Sequence, residues 1–241
     1  MKKSILMLLL ASSLVYGADS SLGSASSENQ SYDLTLQFGI MHTESADYYE
    51  PVDKASLIPT NLYGATLAAQ WEVASHEDSS HHVGFSIGYY TGEEQYNISV
   101  SGVGFTLNID SDSSLDVIPL LLTYDYEYHL NDKVSVYAGI RGGAVIRKTS
   151  FSDSTFDFGE AGKFDVTDSS TKVLPTVGVG VGANVASTPD LSFNIGYDFS
   201  YTFGDSCGKI YAADGAQLNE SYYSGKDLYY GTIKVGFSYS F

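Results

Sequence analysis

YYGTIKVGFSYSF, residues 229–241, alternates two kinds of side chain without a break. Tyr229, Gly231, Ile233, Val235, Phe237, Tyr239 and Phe241 form one set; Tyr230, Thr232, Lys234, Gly236, Ser238 and Ser240 form the other. A period of two is the mark of a β-strand with one apolar face. Chain ends ordinarily fray into polar residues, yet this one keeps aromatics on a single face up to Phe241. Something apolar must cover that face.

Seven more segments carry the same alternation. In the first, Tyr32, Leu34, Leu36, Phe38 and Ile40 oppose Asp33, Thr35, Gln37 and Gly39; in the second, Tyr63, Ala65, Leu67, Ala69, Trp71 and Val73 oppose Gly64, Thr66, Ala68, Gln70 and Glu72. The third sets Val83, Phe85, Ile87 and Tyr89 against Gly84, Ser86, Gly88 and Tyr90. In the fourth, Ile118, Leu120, Leu122, Tyr124, Tyr126 and Tyr128 share one face, and Thr123, Asp125 and Glu127 the other. The opposite parity would put two carboxylates into a lipid phase, so the charges choose the register. The fifth places Val134, Val136, Ala138, Ile140 and Ala144 outward and Ser135, Tyr137, Gly139, Arg141 and Gly143 inward. The sixth runs from Thr176 to Val185 with Gly178, Gly180 and Gly182 inward, and the seventh from Leu191 to Tyr201 with Asp198 inward.

The connections alternate in length. ASHEDSSHH (74–82), HLNDK (129–133) and ASTPD (186–190) are short and rich in turn formers, whereas residues 43–60, 93–115, 148–172 and 202–226 make long connections with most of the acidic surplus. Short turns on one side and long loops on the other are the asymmetry of a transmembrane barrel, whose closure leaves no strand edge in lipid. The expected fold is all-β, an antiparallel up-and-down barrel of eight strands. Two apolar pieces within the long connections, YNISVSGVGFTLNI (96–109) and FDFGEAGKF (156–164), read as strands continuing past the membrane, with ten spanning strands as the alternative.

Composition agrees. The chain has 20 Tyr, 12 Phe and 24 Gly, which suit aromatic girdles outside and a crowded interior. Lys2 and Lys3 precede an apolar run too short to span a bilayer, and Val15-Tyr16-Gly17 offers a cleavage site, so residues 1–17 read as a signal peptide and 18–30 as a short periplasmic segment before a barrel domain at 31–241. Twelve Lys+Arg against 29 Asp+Glu give a formal charge of −17, which loss of the two signal lysines takes to −19. Nucleic acid is an unsuitable partner for such a chain. Cys207 stands alone and makes no internal disulfide.

As a pattern over residues 31–241, and in the ending FSYSF, the chain resembles the small OmpA/opacity-like outer-membrane barrels of Gram-negative bacteria. The resemblance implies outer-membrane lipids and lipopolysaccharide as surroundings. It also implies a C-terminal signal, Phe237, Tyr239 and Phe241, read by the outer-membrane assembly machinery. Larger members append a peptidoglycan-binding domain, for which this sequence shows no segment.

Within the barrel, parity turns Glu72, Asp125, Glu127, Arg141, Asp198 and Lys234 inward. Buried charge without a partner is costly, so these are expected to pair across the lumen as a plug, or to line a gated path. Other chemistry is weaker. GVGVGA (178–183) imitates a dinucleotide fingerprint, but a strand rather than a helix follows it. His76, His81 and His82 share a predicted turn without a defined metal geometry, and Asp110, Asp112 and Asp116 lack the glycine and distal Glu of a calcium loop. No cofactor is expected. His42 with Glu44 at the outer rim is the candidate base if the barrel were an envelope enzyme. The leading expectation is a non-enzymatic surface protein that supports envelope integrity and meets an extracellular partner through acidic loops; the alternatives are a small cation-preferring porin and a lipid-modifying enzyme.

Overall fold

The computed structural model describes residues 31–48, 59–102, 105–157, 163–204, 206–208 and 223–241. The expected signal peptide and the segment 18–30 lie outside them. The strands are β1 (Tyr32–Tyr48), β2 (Asn61–His76), β3 (Ser79–Gly102), β4 (Phe105–Asn131), β5 (Val134–Asp157), β6 (Lys163–Ala186), β7 (Leu191–Thr202), β8 (Ser206–Gly208) and β9 (Tyr223–Ser240). Each strand from β1 to β7 pairs antiparallel with the next, β7 pairs with β9, and β9 returns to β1. Eight long strands thus close a ring. The three-residue β8 adds only to the outer end of β9, with Ser206 opposite Gly225.

The ring forms because alternate residues face different media. On β9, Ile233 is 58% exposed on the outside while Thr232 and Lys234, its neighbours, are 5% and 8% exposed inside. Ile40, Ile233 and Tyr197 lie abreast on β1, β9 and β7, and Leu122, Ile140, Val179 and Phe199 continue the outward apolar surface. The two ends of the chain's barrel segment meet in this belt: Phe241 N–H donates to the Tyr32 carbonyl at 2.9 Å. Faces assigned from parity match those observed on all eight strands.

Two of the long connections contain strands that continue past the membrane, as expected of their apolar pieces, and the strands reach further than those pieces. Most of 93–115 and 148–172 is ordered strand: β3 and β4 stay paired out to Gly102 and Phe105, and β5 and β6 out to Asp157 and Lys163. The apolar pieces within them therefore lengthen existing strands, and the count of spanning strands is eight rather than ten. β4 alone has 27 residues, about 90 Å of strand, where a span needs about 10 residues. A four-stranded sheet, β3 to β6, consequently stands clear of the barrel on the long-connection side. The turns opposite are tight, as at Glu77–Asp78 and Asp132–Lys133.

Register shifts occur at Ser45/Ala46, Asp110/Asp112 and Phe151/Ser154 beyond the belt, and at Glu72/Ala74 and His129/Asn131 near the turns. Within the belt the β3–β4 ladder lapses once, between the pairs Ile87–Leu120 and Tyr90–Val117, where Pro119 has no N–H to give.

The lipid-facing assignment is testable at Val179, near the middle of the membrane-spanning part of β6. Val179→Arg is expected to lower the free energy of folding into bilayers by about 2–4 kcal/mol, against about 1 or less for an arginine at Leu191 beside the turns. Urea titration of folding into vesicles, followed by Trp71 fluorescence, measures both.

Candidate functional site

The interior is built in two zones. Toward the turns, polar side chains converge around Arg141. Its Nη1 donates to Asp125 Oδ1 at 2.7 Å, and its Nε lies 3.7 Å from Asp198 Oδ1. Lys234 Nζ pairs with Asp198 Oδ2, and Gln70 Nε2 donates to the second oxygen of Asp125 at 2.6 Å. Five strands thus send side chains to one buried cluster in which two cations meet two anions. Neutralisation of this kind is what allows charge to leave water.

Glycine makes the cluster possible. A methyl group at Gly180 would strike the Asp198 carboxylate and the Arg141 guanidinium, and one at Gly139 would strike Asp125. The run that imitates a nucleotide fingerprint is therefore the wall against which the ion pairs lie. Gly178, Gly180 and Gly182 sit within β6, with no helix to hold a phosphate.

Nearer the turns a second layer links amides and hydroxyls. Gln37 Nε2 donates to Asn194 Oδ1 at 2.8 Å, Asn194 Nδ2 to Ser238 Oγ at 3.0 Å, and the Ser238 and Thr35 hydroxyls are 2.7 Å apart. Beyond it, His82 lies between two carboxylates, with Nδ1 3.8 Å from Asp33 Oδ2 and Nε2 3.5 Å from Glu127 Oε2. Ser135 and Asn184 donate to Glu127, and Ser240 donates to Asp33 at 2.5 Å. Ser80 Oγ is 2.8 Å from His82 Nε2, which gives a hydroxyl, an imidazole and a carboxylate in sequence. Yet Ser80 is only 1% exposed, and 3.8 Å is too long for a hydrogen bond to Asp33. The group ties β1, β3 and β4 together without presenting a nucleophile.

These layers surround a polar cavity of about 270 Å³ that reaches the turn residues Asp132, Lys133 and Asp190. The outer zone is different. Met41, Leu62, Tyr90, Leu115, Val117, Val145 and Tyr230 form a buried apolar cluster inside the barrel, with Tyr90 OH 2.8 Å from Thr66 Oγ1. Among the described residues, a void of about 30 Å³, about the volume of one water, lies between it and the Asp198–Lys234 pair. The described lumen is an open polar vestibule on the turn side, closed first by ion pairs and then by apolar side chains.

Of the six charges expected inside, Asp125, Arg141, Asp198 and Lys234 come together in the cluster, and Glu127 lies one layer nearer the turns with His82. Glu72 makes no ion pair among the described residues; it lies one inward position nearer the turns than Gln70, opposite His82 of β3, and it is Gln70 that reaches the cluster. The three turn histidines do not share a site: His81 and His82 lie on opposite faces of β3, and His81 stands outside, its Nδ1 2.7 Å from Tyr124 OH and its ring 6.0 Å from that of His76. Asp110, Asp112 and Asp116 belong to β4 rather than to a loop, and Asp116 accepts hydrogen bonds from Tyr89 and Thr91. His42 is exposed at the outer rim, 3.1 Å from Asn61 Oδ1; the side chain of Glu44 lies outside the described residues. Phe237, Tyr239 and Phe241 all face outward, with Phe237 against Phe193 and Tyr239 against Phe241.

Sequence reasoning missed Gln70, His82, Asp33 and the apolar cluster. Parity already turned Gln70 and Asp33 inward, but only some of the charges were singled out. The apolar cluster has a signal of its own: doubly apolar steps such as Ile40-Met41, Leu62-Tyr63, Val117-Ile118 and Tyr229-Tyr230 fall at the outer end of each span.

Removing one member of the ion cluster leaves its partners buried and uncompensated. Arg141→Met is expected to cost about 3–5 kcal/mol, while Arg141→Met combined with Asp125→Asn, which leaves the Lys234–Asp198 pair in place, recovers much of that loss. Urea unfolding of the reconstituted barrel, read as loss of heat-modifiable gel migration, separates the two.

Comparison with known proteins agrees with this architecture. The outer membrane protease OmpT of Escherichia coli aligns with a TM-score of 0.52 at 9% identity, over 92% of this chain and 99% of that one. The outer membrane protein OprG of Pseudomonas aeruginosa aligns at 0.50 with 13% identity, over 88% and 95%. The attachment invasion locus protein Ail of Yersinia pestis, solved with the heparin analogue sucrose octasulfate, gives 0.46 at 16% identity, over 89% and 100%. A search of curated proteins found no match. The family described as outer membrane protein beta-barrel domain matches residues 6–241, so this chain belongs to that family and its place is the outer membrane.

Proposed function

We propose that the protein is a non-enzymatic component of the outer membrane that contributes to envelope integrity and makes surface contacts through the sheet β3–β6. The observation that carries this reading is the contrast between the two ends of the lumen. The interior is blocked on its outer side by the apolar cluster, while the chain extends four strands well beyond the membrane. Short turns in outer-membrane barrels face the periplasm and long extensions face outward. Material is invested where a partner outside the cell would meet it.

The side chains that could carry chemistry support a structural role. Ser80 is buried, and the four charges Asp125, Arg141, Asp198 and Lys234 are engaged with one another. The outward row Phe237, Tyr239 and Phe241 serves, in this reading, as the assembly signal, beside its part in the turn-side girdle. A second reading, a small cation-preferring channel, is favoured by the turn-side cavity, which lacks only an outer exit.

Conductance across a planar bilayer decides between the two. The refolded barrel is expected to stay electrically silent, and replacing Leu62, Tyr90 and Tyr230 together by glycine to produce current steps. Discrete cation-selective steps from the unaltered protein would transfer the assignment to a channel. For the surface role, replacing Asn97–Asn108 and Thr155–Asp165 by short turns should abolish adhesion of expressing cells to host or bacterial surfaces while heat-modifiable migration is unchanged. For the assembly role, Phe241→Ala should reduce the amount of folded barrel in outer-membrane fractions without lowering the stability of protein refolded in vitro by more than about 1 kcal/mol.

A further inference from the structure

The charges that line the turn-side vestibule do not balance. Arg141 and Lys234 are engaged with Asp125 and Asp198. Outside that cluster the wall and mouth of the cavity carry four acids, Asp33, Glu127, Asp132 and Asp190, against one lysine, Lys133. Asp33 and Glu127 are the deeper pair, with side chains 21% and 17% exposed, and neither meets a lysine or arginine among the described residues. One oxygen of each is satisfied: Ser240 donates to Asp33 Oδ1, and Ser135 and Asn184 donate to Glu127 Oε1. The other oxygen of each has the His82 ring near it, at 3.8 Å and 3.5 Å, longer than a hydrogen bond.

Shielded carboxylate oxygens in a negative field draw a cation. The arrangement says which kind. The imidazole ring stands between the two carboxylates, and among the described residues no three His, Cys, Asp or Glu side chains converge closely enough to hold a metal ion. The pair is placed instead for separate positive groups on one molecule. At the deep end of the same cavity the Thr123 hydroxyl, 8% exposed, has no hydrogen-bond partner. Thr123 and Glu127 share the inward row of β4, four residues and so about 13 Å apart. At about 1.2 Å per bond of an extended chain, a linear amine of about ten bonds reaches from one to the other. The cavity, about nine times the share of one water in the liquid, holds an unbranched chain of that length.

We infer that the vestibule is a binding site for a linear aliphatic polyamine, whose ammonium groups meet Asp33 and Glu127 and whose inner end donates to Thr123. Asp132 and Asp190 attract the ligand at the mouth. The cluster it passes holds two cations and two anions, so it adds no net repulsion. The site lies at the opposite end of the barrel from the projecting sheet and does not depend on the surface role proposed above.

The test is calorimetric titration of the full mature barrel, in nanodiscs of zwitterionic lipid, with spermidine. Spermidine should bind, and triethylene glycol, an uncharged chain of similar length, should not. The shorter 1,4-diaminobutane, which cannot reach Thr123 from Glu127, should bind about tenfold more weakly. Glu127→Gln and Asp33→Asn should each weaken spermidine about tenfold, and Thr123→Val about fivefold. Glu77→Gln with Asp78→Asn alters acids of a turn outside the cavity and should leave binding unchanged. A second readout needs no acid variant and so no assumption about its folding. In a Cys207→Ser background, spermidine should slow maleimide labelling of Ala186→Cys, which lines the cavity, and leave that of Ser187→Cys unchanged. Absence of spermidine binding, equal binding of the uncharged chain, or labelling at Ala186→Cys that ignores spermidine would overturn the inference. So would equal weakening by the Glu77 and Asp78 pair, which would trace the binding to diffuse attraction by an acidic surface.

Discussion

The structure depends on one constraint: in hydrocarbon there is no water to satisfy a backbone amide. The pairing of β9 with β1 meets it by turning a sheet with two edges into a ring with none. That pairing is also the most non-local in the chain, bringing Asp33 opposite Ser240 and Ile40 opposite Ile233. Once it forms, each span needs only to hold its parity. The outward row then meets lipid, and the inward row has to solve a separate packing problem in a narrow tube.

The tube solves that problem by making opposite demands on neighbouring strands. β6 gives up three successive inward side chains, at Gly178, Gly180 and Gly182, so that β4, β5, β7 and β9 can send charged groups across the axis. The glycines would weaken an ordinary strand by their entropy, but here they remove collisions with Asp198, Arg141 and Tyr137. Higher up, where Tyr90 and Tyr230 meet Leu62, Met41 and Val117, the same tube excludes water by apolar packing. The two zones use different physics to close one lumen.

Much of this was legible in the sequence because period two carries face information directly. Asp125 and Glu127 fixed the register of β4, and the remaining strands followed the same logic. What the sequence concealed was height along the axis. Parity placed Glu72 and Asp125 on the same inner wall, but not the level at which each lies, so it did not show that Glu72 stands nearer the turns while Gln70 reaches the charge cluster. The outer extensions were legible only in their apolar pieces, 96–109 and 156–164; between these and the membrane the residues are mostly polar, so alternation fades although the backbone pairing does not. His82 was read as part of a turn because two serines precede the histidine pair, whereas β3 already begins at Ser79 and buries it.

The positions of the register shifts have a consequence for how such a molecule can change. Apart from the lapse at Pro119, the membrane-spanning ladder is unbroken, while the shifts at Ser45/Ala46, Asp110/Asp112 and Phe151/Ser154 fall beyond it and those at Glu72/Ala74 and His129/Asn131 fall at the turns. A bulge absorbs an odd residue locally, so an insertion outside the belt need not invert the faces inside it. The reach of the hairpins can therefore lengthen or shorten by about 3.3 Å per residue pair while the embedded ring keeps its frame. Anchor and antenna are uncoupled in their arithmetic, and a family built this way can vary its height above the membrane without relearning how to sit in it.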